Sequence, residues 1–162
     1  MLEKSIKFAT EKHSGQFRKI SGKPYVTHPI EVSLLVSKFK TSKKIQESQA
    51  AAVLHDTLED TNTSFQELAV EFSPLVASLV LELTSDAAMI QKITKKEYLK
   101  KKMLGMSSYG LVIKLCDRLS NIQDHPTDKA RLDTREIIDY LKVNRKLSKT
   151  HKQIIKQIEK HL

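Results

Sequence analysis

Apolar residues recur along this chain at the three- and four-residue spacing of amphipathic helices. The first such segment contains Leu2, Ile6 and Ala9, and a polar loop with two glycines follows it. Capping and breaking residues divide most of the remaining chain into predicted helices at 29–39, 64–72, 73–83, 94–105, 107–123, 134–147 and 149–162. A further helix is predicted to begin after the segment TSKK. The pattern, with only four glycines and four prolines, predicts an all-α helical bundle.

Length and composition bound the class of protein. The 162 residues are 40% hydrophobic and 29% charged, which is typical of a globular chain rather than a disordered one. No linker or composition shift interrupts them, so we expect a single domain over residues 1–162. The acidic residues of the N-terminal segment are unlike a signal peptide, and the single cysteine, Cys116, suits a reducing compartment. A cytoplasmic protein with no membrane partner is therefore expected, and Cys116 is interpreted as a structural core residue.

The formal net charge of +9 favours anionic partners such as nucleotides. No aromatic side chains alternate with the lysines of residues 95–102, and no zinc-finger spacing is present, which argues against a nucleic-acid partner. The last predicted helix carries an apolar stripe that could pack internally or across a dimer, so an oligomer stays open.

The segment AAVLHDTLEDT, residues 51–61, concentrates acidic side chains just after an apolar run. On one continuous helix, Glu59 would lie about 40° from His55, Asp56 about 100° and Asp60 about 140°, so all four would project from one side. Such a face can be a solvated acidic surface. The adjacent imidazole and carboxylate also suit a divalent transition metal.

Two other segments contain candidate site residues. In VIKLCDRLSN, Asp117 and Asn121 are one helical turn apart and Lys114 is one turn earlier, which fits either a binding site or a surface ion pair. In GKPYVTHPIEV, His28 precedes a proline and is therefore expected to be extended, at a junction between loop and helix. Alone, a histidine at such a position is more often a capping or structural residue.

Together the three segments predict a metal-dependent hydrolase. Two histidines and two aspartates would supply a mixed nitrogen and oxygen ligand set, suited to manganese, iron or another divalent ion: His28, His55, Asp56 and Asp117. A divalent ion makes water a usable nucleophile near neutral pH. Glu59 and Asp60 would then be available to orient that water or to transfer protons. The chemistry most consistent with this set is hydrolysis of a phosphate ester.

The same three segments resemble the signatures of HD-domain alarmone hydrolases, the RelA/SpoT-type hydrolase domains and the small stand-alone enzymes. The resemblance covers HSGQFRKISGKPYVTHP, LHDTLEDT and VIKLCDRLSN, in order and over residues 13–121. It implies an all-α HD-domain bundle that removes pyrophosphate from the 3′ position of ppGpp or pppGpp, with one Mn²⁺ per chain. The His–Asp pair alone marks the broad HD phosphohydrolase superfamily. The acidic pair that follows it, Glu59 and Asp60, is more typical of the alarmone hydrolases than of other HD enzymes.

Individual roles follow from that resemblance. It implies that His28, His55, Asp56 and Asp117 bind the metal. It also implies that Glu59 and Asp60 activate or orient water, and that Asn121 lies near the substrate ribose. Arg18 and Lys19 match a basic pair that lies against the nucleotide, and Lys114 matches a lysine with either a structural or a phosphate-binding role.

Two alternatives stay open on the sequence alone. The chain could be an HD phosphohydrolase for another nucleotide, such as a 5′-nucleotide or the 2′-phosphate of NADPH. It could also be a catalytically silent HD domain that binds nucleotide through its basic surface.

Overall fold

The helical periodicity of the sequence is confirmed, because the computed structural model, which describes residues 1–162, contains eleven helices and no strand. Six helices lie in the unit Met1–Thr84: α1 (Leu2–Lys12), α2 (Thr27–Phe39), α3 (Ile45–Leu54), α4 (Thr57–Asp60), α5 (Phe65–Glu71) and α6 (Pro74–Leu83). Five lie in the unit Ser85–Leu162: α7 (Ala87–Ile93), α8 (Lys95–Gly105), α9 (Ser108–Gln123), α10 (Asp128–Asn144) and α11 (Lys149–Glu159). Each unit is compact, and the single domain expected from the sequence stays a prediction.

Helix α3 is the centre of the first unit and packs against α1, α2 and α6. Its C-terminal half, from Ala50 to Leu54, is completely buried. Three consecutive alanines allow the neighbouring helices to approach α3 closely, since a methyl group adds little to the helix radius. The buried end of α3 therefore fixes the position of the residues that follow it, beginning with His55.

The capping signals of the first unit act as the sequence predicts. Ser64 and Glu67 form a reciprocal capping box at the start of α5, which satisfies two backbone N–H groups that lack helical partners. Ser73 accepts a hydrogen bond from the backbone N–H of Val76, and Pro74 occupies the first turn of α6. Helices α5 and α6, which these caps start, pack on each other.

The second unit has its core along α9, which packs against α10 and α11. Cys116 is completely buried there, and that burial raises the pKa of its thiol, which confirms a structural cysteine. Ile154 and Ile158 of α11 are also completely buried within the chain. The apolar stripe of the last helix therefore packs internally. None of the eleven helices combines the length and the apolar character needed to cross a bilayer.

Two predicted helix starts lie two or more residues from the observed ones, and one observed helix was not predicted. Helix α2 begins at Thr27 rather than at Pro29, and α7 was not predicted. Helix α10 begins at Asp128, six residues before the predicted start, because Thr127 caps it by accepting a hydrogen bond from the N–H of Ala130. In each case the helix start depends on a local hydrogen bond or turn that hydrophobic periodicity does not register.

Arg145 closes the C-terminal end of α8 in the second unit. Its guanidinium donates hydrogen bonds to the carbonyl oxygens of Met103, of Leu104 at 2.8 Å and of Met106 at 2.6 Å. The last carbonyls of a helix have no intrahelical partner, and a cation at that end also opposes the helix dipole.

Replacing Arg145 with methionine should lower the free energy of unfolding by about 2–3 kcal/mol, since hydrogen bonds to a charged group contribute about 1.5–3 kcal/mol and three carbonyls lose their donor. Denaturant unfolding followed by circular dichroism measures this change. Lys146→Met, at the exposed neighbouring position, is the matched control and should leave the midpoint unchanged. Equal stability of the two variants would contradict a structural role for Arg145.

Candidate metal centre and active site

The candidate site of the first unit is built at a break between two helices. Helix α3 ends at Leu54, His55 and Asp56 form a turn, and α4 begins at Thr57. The hydroxyl of Thr57 donates to the carbonyl oxygen of Leu54 at 2.7 Å, which holds the turn against the end of α3. The sequence predicts one continuous helix here, and the angles calculated on that basis do not apply. The acidic pair lies instead on a separate four-residue turn.

His55 is oriented by a backbone hydrogen bond. Its Nδ1 lies 2.8 Å from the carbonyl oxygen of Ala52. A carbonyl can only accept, so Nδ1 carries the proton and the lone pair of the neutral ring is on Nε2. Metal-binding histidines are commonly fixed in this way, with one ring nitrogen on a backbone carbonyl and the other on the ion.

Asp56 faces that second nitrogen. Its Oδ2 lies 2.9 Å from His55 Nε2, and the imidazole is only 1% exposed. A lone pair and a carboxylate oxygen repel each other at this distance unless a cation is shared between them, either a proton on the ring or a metal ion. The pair therefore has the donor chemistry of a metal site, and this is the observation that supports the fit of a divalent ion.

His28 completes a cluster with these two residues. The candidate ligand atoms of His28, His55 and Asp56 all lie within 4.8 Å of one another. The two imidazole rings are 5.3 Å apart, and both histidines are buried. The set offers two nitrogens and a carboxylate oxygen, which suit a divalent transition metal.

The prediction that His28 is extended is wrong. His28 is the second residue of α2, and its backbone N–H donates to the carbonyl oxygen of Tyr25 at 3.0 Å. The steric bias against helix before proline is overcome because the turn at residues 24–28 holds the chain in register. Pro29 loses nothing in the first turn, where its missing N–H would have no helical partner.

Tyr25 contacts the cluster from the loop before α2. Its hydroxyl donates to Asp56 Oδ2 at 2.5 Å, and its ring centre lies 6.0 Å from that of His28. A hydrogen bond of this kind orients a metal-binding carboxylate and limits its rotation. Nothing in the sequence pattern indicates a bond from Tyr25 to a residue 31 positions away.

Glu59 and Asp60 follow on α4, and both reach solvent. Partial loss of hydration raises the pKa of the Asp60 carboxyl, and the negative charges of Asp56 and Glu59 raise it further, while His13 and His55 oppose the shift. A carboxyl whose pKa is raised exchanges protons more readily near neutral pH. The site thus places a carboxyl with a raised pKa one helical turn from a candidate ligand.

The polar residues of α9 form a separate cluster in the second unit. Asp117 is buried, and its Oδ2 lies 2.9 Å from Lys114 Nζ. Asn121 Nδ2 donates to the other carboxylate oxygen, Oδ1, at 2.6 Å. The sequence prediction that these three side chains share one helix face is confirmed. The role of Asp117 as a metal ligand, and those of Lys114 and Asn121 in substrate binding, stay predictions.

Arg18 and Lys19 lie on a hairpin-like loop between α1 and α2. The backbone N–H of Arg18 donates to the carbonyl oxygen of Lys23 at 2.9 Å, and Phe17 pairs with Pro24. Gly22 allows the return of the chain, because its φ of +67° is in the region that L side chains rarely adopt. The loop presents two basic side chains, and their contact with a nucleotide stays a prediction.

Known proteins are similar to this chain over most of its length. A family profile of the HD domain matches residues 5–141. The chain is 35% identical over 125 residues to guanosine-3′,5′-bis(diphosphate) 3′-pyrophosphohydrolase MESH1 of Xenopus tropicalis, which covers 76% of this chain and 69% of that protein. It is 37% identical over 124 residues to the guanosine-3′,5′-bis(diphosphate) 3′-pyrophosphohydrolase of Aquifex aeolicus, which covers 75% of this chain. That match spans only 17% of the Aquifex protein.

A solved structure of a related protein has the same fold as this chain. It is described as a metazoan ortholog of SpoT that hydrolyses ppGpp and plays a role in starvation responses. The two chains superpose with a TM-score of 0.80 at 28% sequence identity, over 98% of this chain and 94% of the other. The all-α fold predicted from the sequence is therefore confirmed as an HD-domain fold, and the chain belongs to the HD-domain family.

Proposed function

We propose that this protein is a metal-dependent 3′-pyrophosphohydrolase that converts ppGpp and pppGpp to GDP and GTP with release of pyrophosphate. The observation that carries the proposal is the cluster of buried His28 and His55 with the partly buried Asp56, with Glu59 and Asp60 on the next turn. Its support from relatives is the similarity to proteins named for this reaction.

The ion proposed is a single Mn²⁺. His28, His55 and Asp56 would hold it through two imidazole nitrogens and a carboxylate, and we propose Asp117 as a fourth ligand on the basis of the sequence resemblance. The only thiol of the chain, Cys116, is fully buried on α9, and no thiolate is needed in this ligand set. A bound divalent ion would neutralise charge on phosphate oxygens and lower the pKa of water.

The residues of the chain would divide the remaining work. Asp60, with its raised pKa, would accept a proton from the attacking water, and Glu59 would orient that water. Attack at the 3′-linked phosphorus would break its bond to the ribose 3′-oxygen, which would leave as the hydroxyl of GDP or GTP after taking the proton that Asp60 accepted from water. Arg18 and Lys19 would bind the nucleotide, with the guanidinium able to stack on a purine or pair with phosphate. Asn121 would contact the ribose.

Purified protein should release pyrophosphate from ppGpp when Mn²⁺ is supplied, and should lose this activity after chelation. Ion chromatography of the products separates pyrophosphate from inorganic phosphate. A nucleotide panel that includes 5′-nucleotides and NADPH is the control, because release of inorganic phosphate from those compounds would favour a different HD phosphohydrolase. Absence of pyrophosphate release with every divalent ion tested would contradict the proposal.

Asp56→Asn should weaken Mn²⁺ binding by at least about 100-fold, since loss of a residue that only supports a ligand already costs about 10–100-fold in affinity. The variant keeps the volume of the side chain and removes the charge that faces His55. Isothermal titration calorimetry measures the affinity. Glu11→Gln, on the exposed face of α1, is the control and should bind Mn²⁺ like the parent protein.

Asp60→Asn and Glu59→Gln should keep Mn²⁺ affinity and lower kcat by about 10²–10⁴-fold, the range typical of a lost general base. Both carboxylates reach solvent, so these amides should fold normally. Steady-state kinetics on ppGpp, with the metal titration run in parallel, separates chemistry from binding. Full activity of both variants would show that the acidic pair has no part in the reaction.

A further inference from the structure

Helix α4, which carries the acidic pair, is too short to be stable on its own. It has only four residues, Thr57–Asp60, and its N-cap residue, Asp56, makes no side-chain capping bond. Isolated helical turns of this length are not stable in water. The last carbonyl groups of a helix also lack intrahelical partners. The position of Asp60 therefore depends on contacts from outside the turn.

Gln16 makes such a contact at the end of α4. Its Nε2 donates to the backbone carbonyl oxygen of Asp60 at 3.0 Å, from 44 residues away in the sequence. Its Oε1 lies 2.8 Å from Nδ1 of His13. Since the carbonyl of Asp60 can only accept, the orientation of the amide is fixed. The amide oxygen then faces His13, so Nδ1 of that histidine is the donor.

His13 is buried, and its side chain has this one hydrogen bond. The residue is 3% exposed, its Nε2 is buried without a hydrogen-bond partner, and its ring centre lies 4.9 Å from that of Tyr25. Burying a polar nitrogen without a partner costs stability. Packing alone therefore does not account for a histidine at this position, whereas orientation of Gln16 does.

The backbone of the loop fixes Gln16 from both sides. Its N–H donates to the carbonyl oxygen of His13 at 3.0 Å, and its carbonyl accepts from the N–H of Tyr25 at 2.9 Å. Tyr25 in turn bonds to Asp56, at the other end of α4. Two side chains of one loop thus hold the two ends of α4. Tyr25 bonds to the candidate metal ligand before the helix, and Gln16 bonds to the acidic pair at its end.

We propose that Gln16, oriented by His13, is a positioning residue that holds Asp60 and Glu59 in the geometry required for attack of water. This inference rests on the proposed hydrolysis. Gln16 bonds to the main-chain carbonyl of Asp60, so its loss should displace the carboxylates without removing a metal ligand. A displacement of about 1 Å in a catalytic group costs about 10²-fold in rate. The effect should appear in kcat, with KM for ppGpp and affinity for Mn²⁺ unchanged.

The test compares Gln16→Met with Gln49→Met. Methionine keeps the length of the side chain and removes both amide bonds, and Gln49 is a partly buried glutamine on α3 outside this network. We expect Gln16→Met to lower kcat by about 10–100-fold, and Gln49→Met to leave kcat unchanged. An unchanged kcat in Gln16→Met, or a loss matched by weaker Mn²⁺ binding, would overturn the inference.

Two variants of His13 test its part. His13→Asn replaces the Nδ1–H donor with an amide N–H and should retain most of the rate, whereas His13→Leu removes the donor and should behave like Gln16→Met. Equal loss in both variants would indicate that His13 acts only through packing.

A second measurement does not depend on turnover. Hydrogen exchange of the amides of residues 57–61, followed by mass spectrometry, should become faster in Gln16→Met and stay the same in Gln49→Met. If the parent protein releases no pyrophosphate, the proposed function fails while this exchange result still decides whether Gln16 holds α4. Unchanged exchange in Gln16→Met would overturn the inference even in an active enzyme.

Discussion

The 2.9 Å separation between His55 Nε2 and the Asp56 carboxylate, which requires a shared cation, is the constraint on which the site depends. Because Nδ1 of His55 is committed to the carbonyl of Ala52, the ring cannot rotate to relieve the repulsion. Asp56 is restrained in turn by Tyr25. Both groups are thus held in an arrangement that only a cation makes favourable. A preorganised set of this kind would bind a divalent ion without first having to order its ligands.

Helix packing explains how the chain sustains this arrangement. The completely buried end of α3 fixes the position of His55. Because the helix breaks before Thr57, the acidic pair lies on a separate short helix. A continuous helix would have kept ligands and acidic pair at fixed angles about one axis. Because of the break, the His55–Asp56 pair and the acidic pair are positioned separately. The end of α3 positions the first pair, and contacts to α4 position the second.

The sequence predicted which residues of the first unit cluster better than it predicted their backbone geometry. The chemistry of His55, Asp56 and His28 is recognisable because few structural roles call for a buried histidine beside a carboxylate, and the structure brings these three together. The backbone of His28 was predicted wrongly, because the turn before α2 outweighs the local bias imposed by Pro29. The bond from Gln16 to Asp60 spans 44 residues and involves a main-chain carbonyl, which leaves no signature in the side-chain pattern. Contacts of this type become visible only when the fold is known.

The hairpin between α1 and α2 has a consequence for how such a protein can diversify. Its base is bonded from Tyr25 to Gln16, and its tip from Arg18 to Lys23. Lengthening the tip would leave the base, and therefore α4, in place. An insertion between His13 and Gln16 would instead shift the Gln16 side-chain amide away from Asp60. The base of the loop must therefore keep its length, whereas the tip can vary in length. Under the proposed function, nucleotide preference would therefore change at the tip, through the reach of its basic side chains, without displacing the acidic pair on α4.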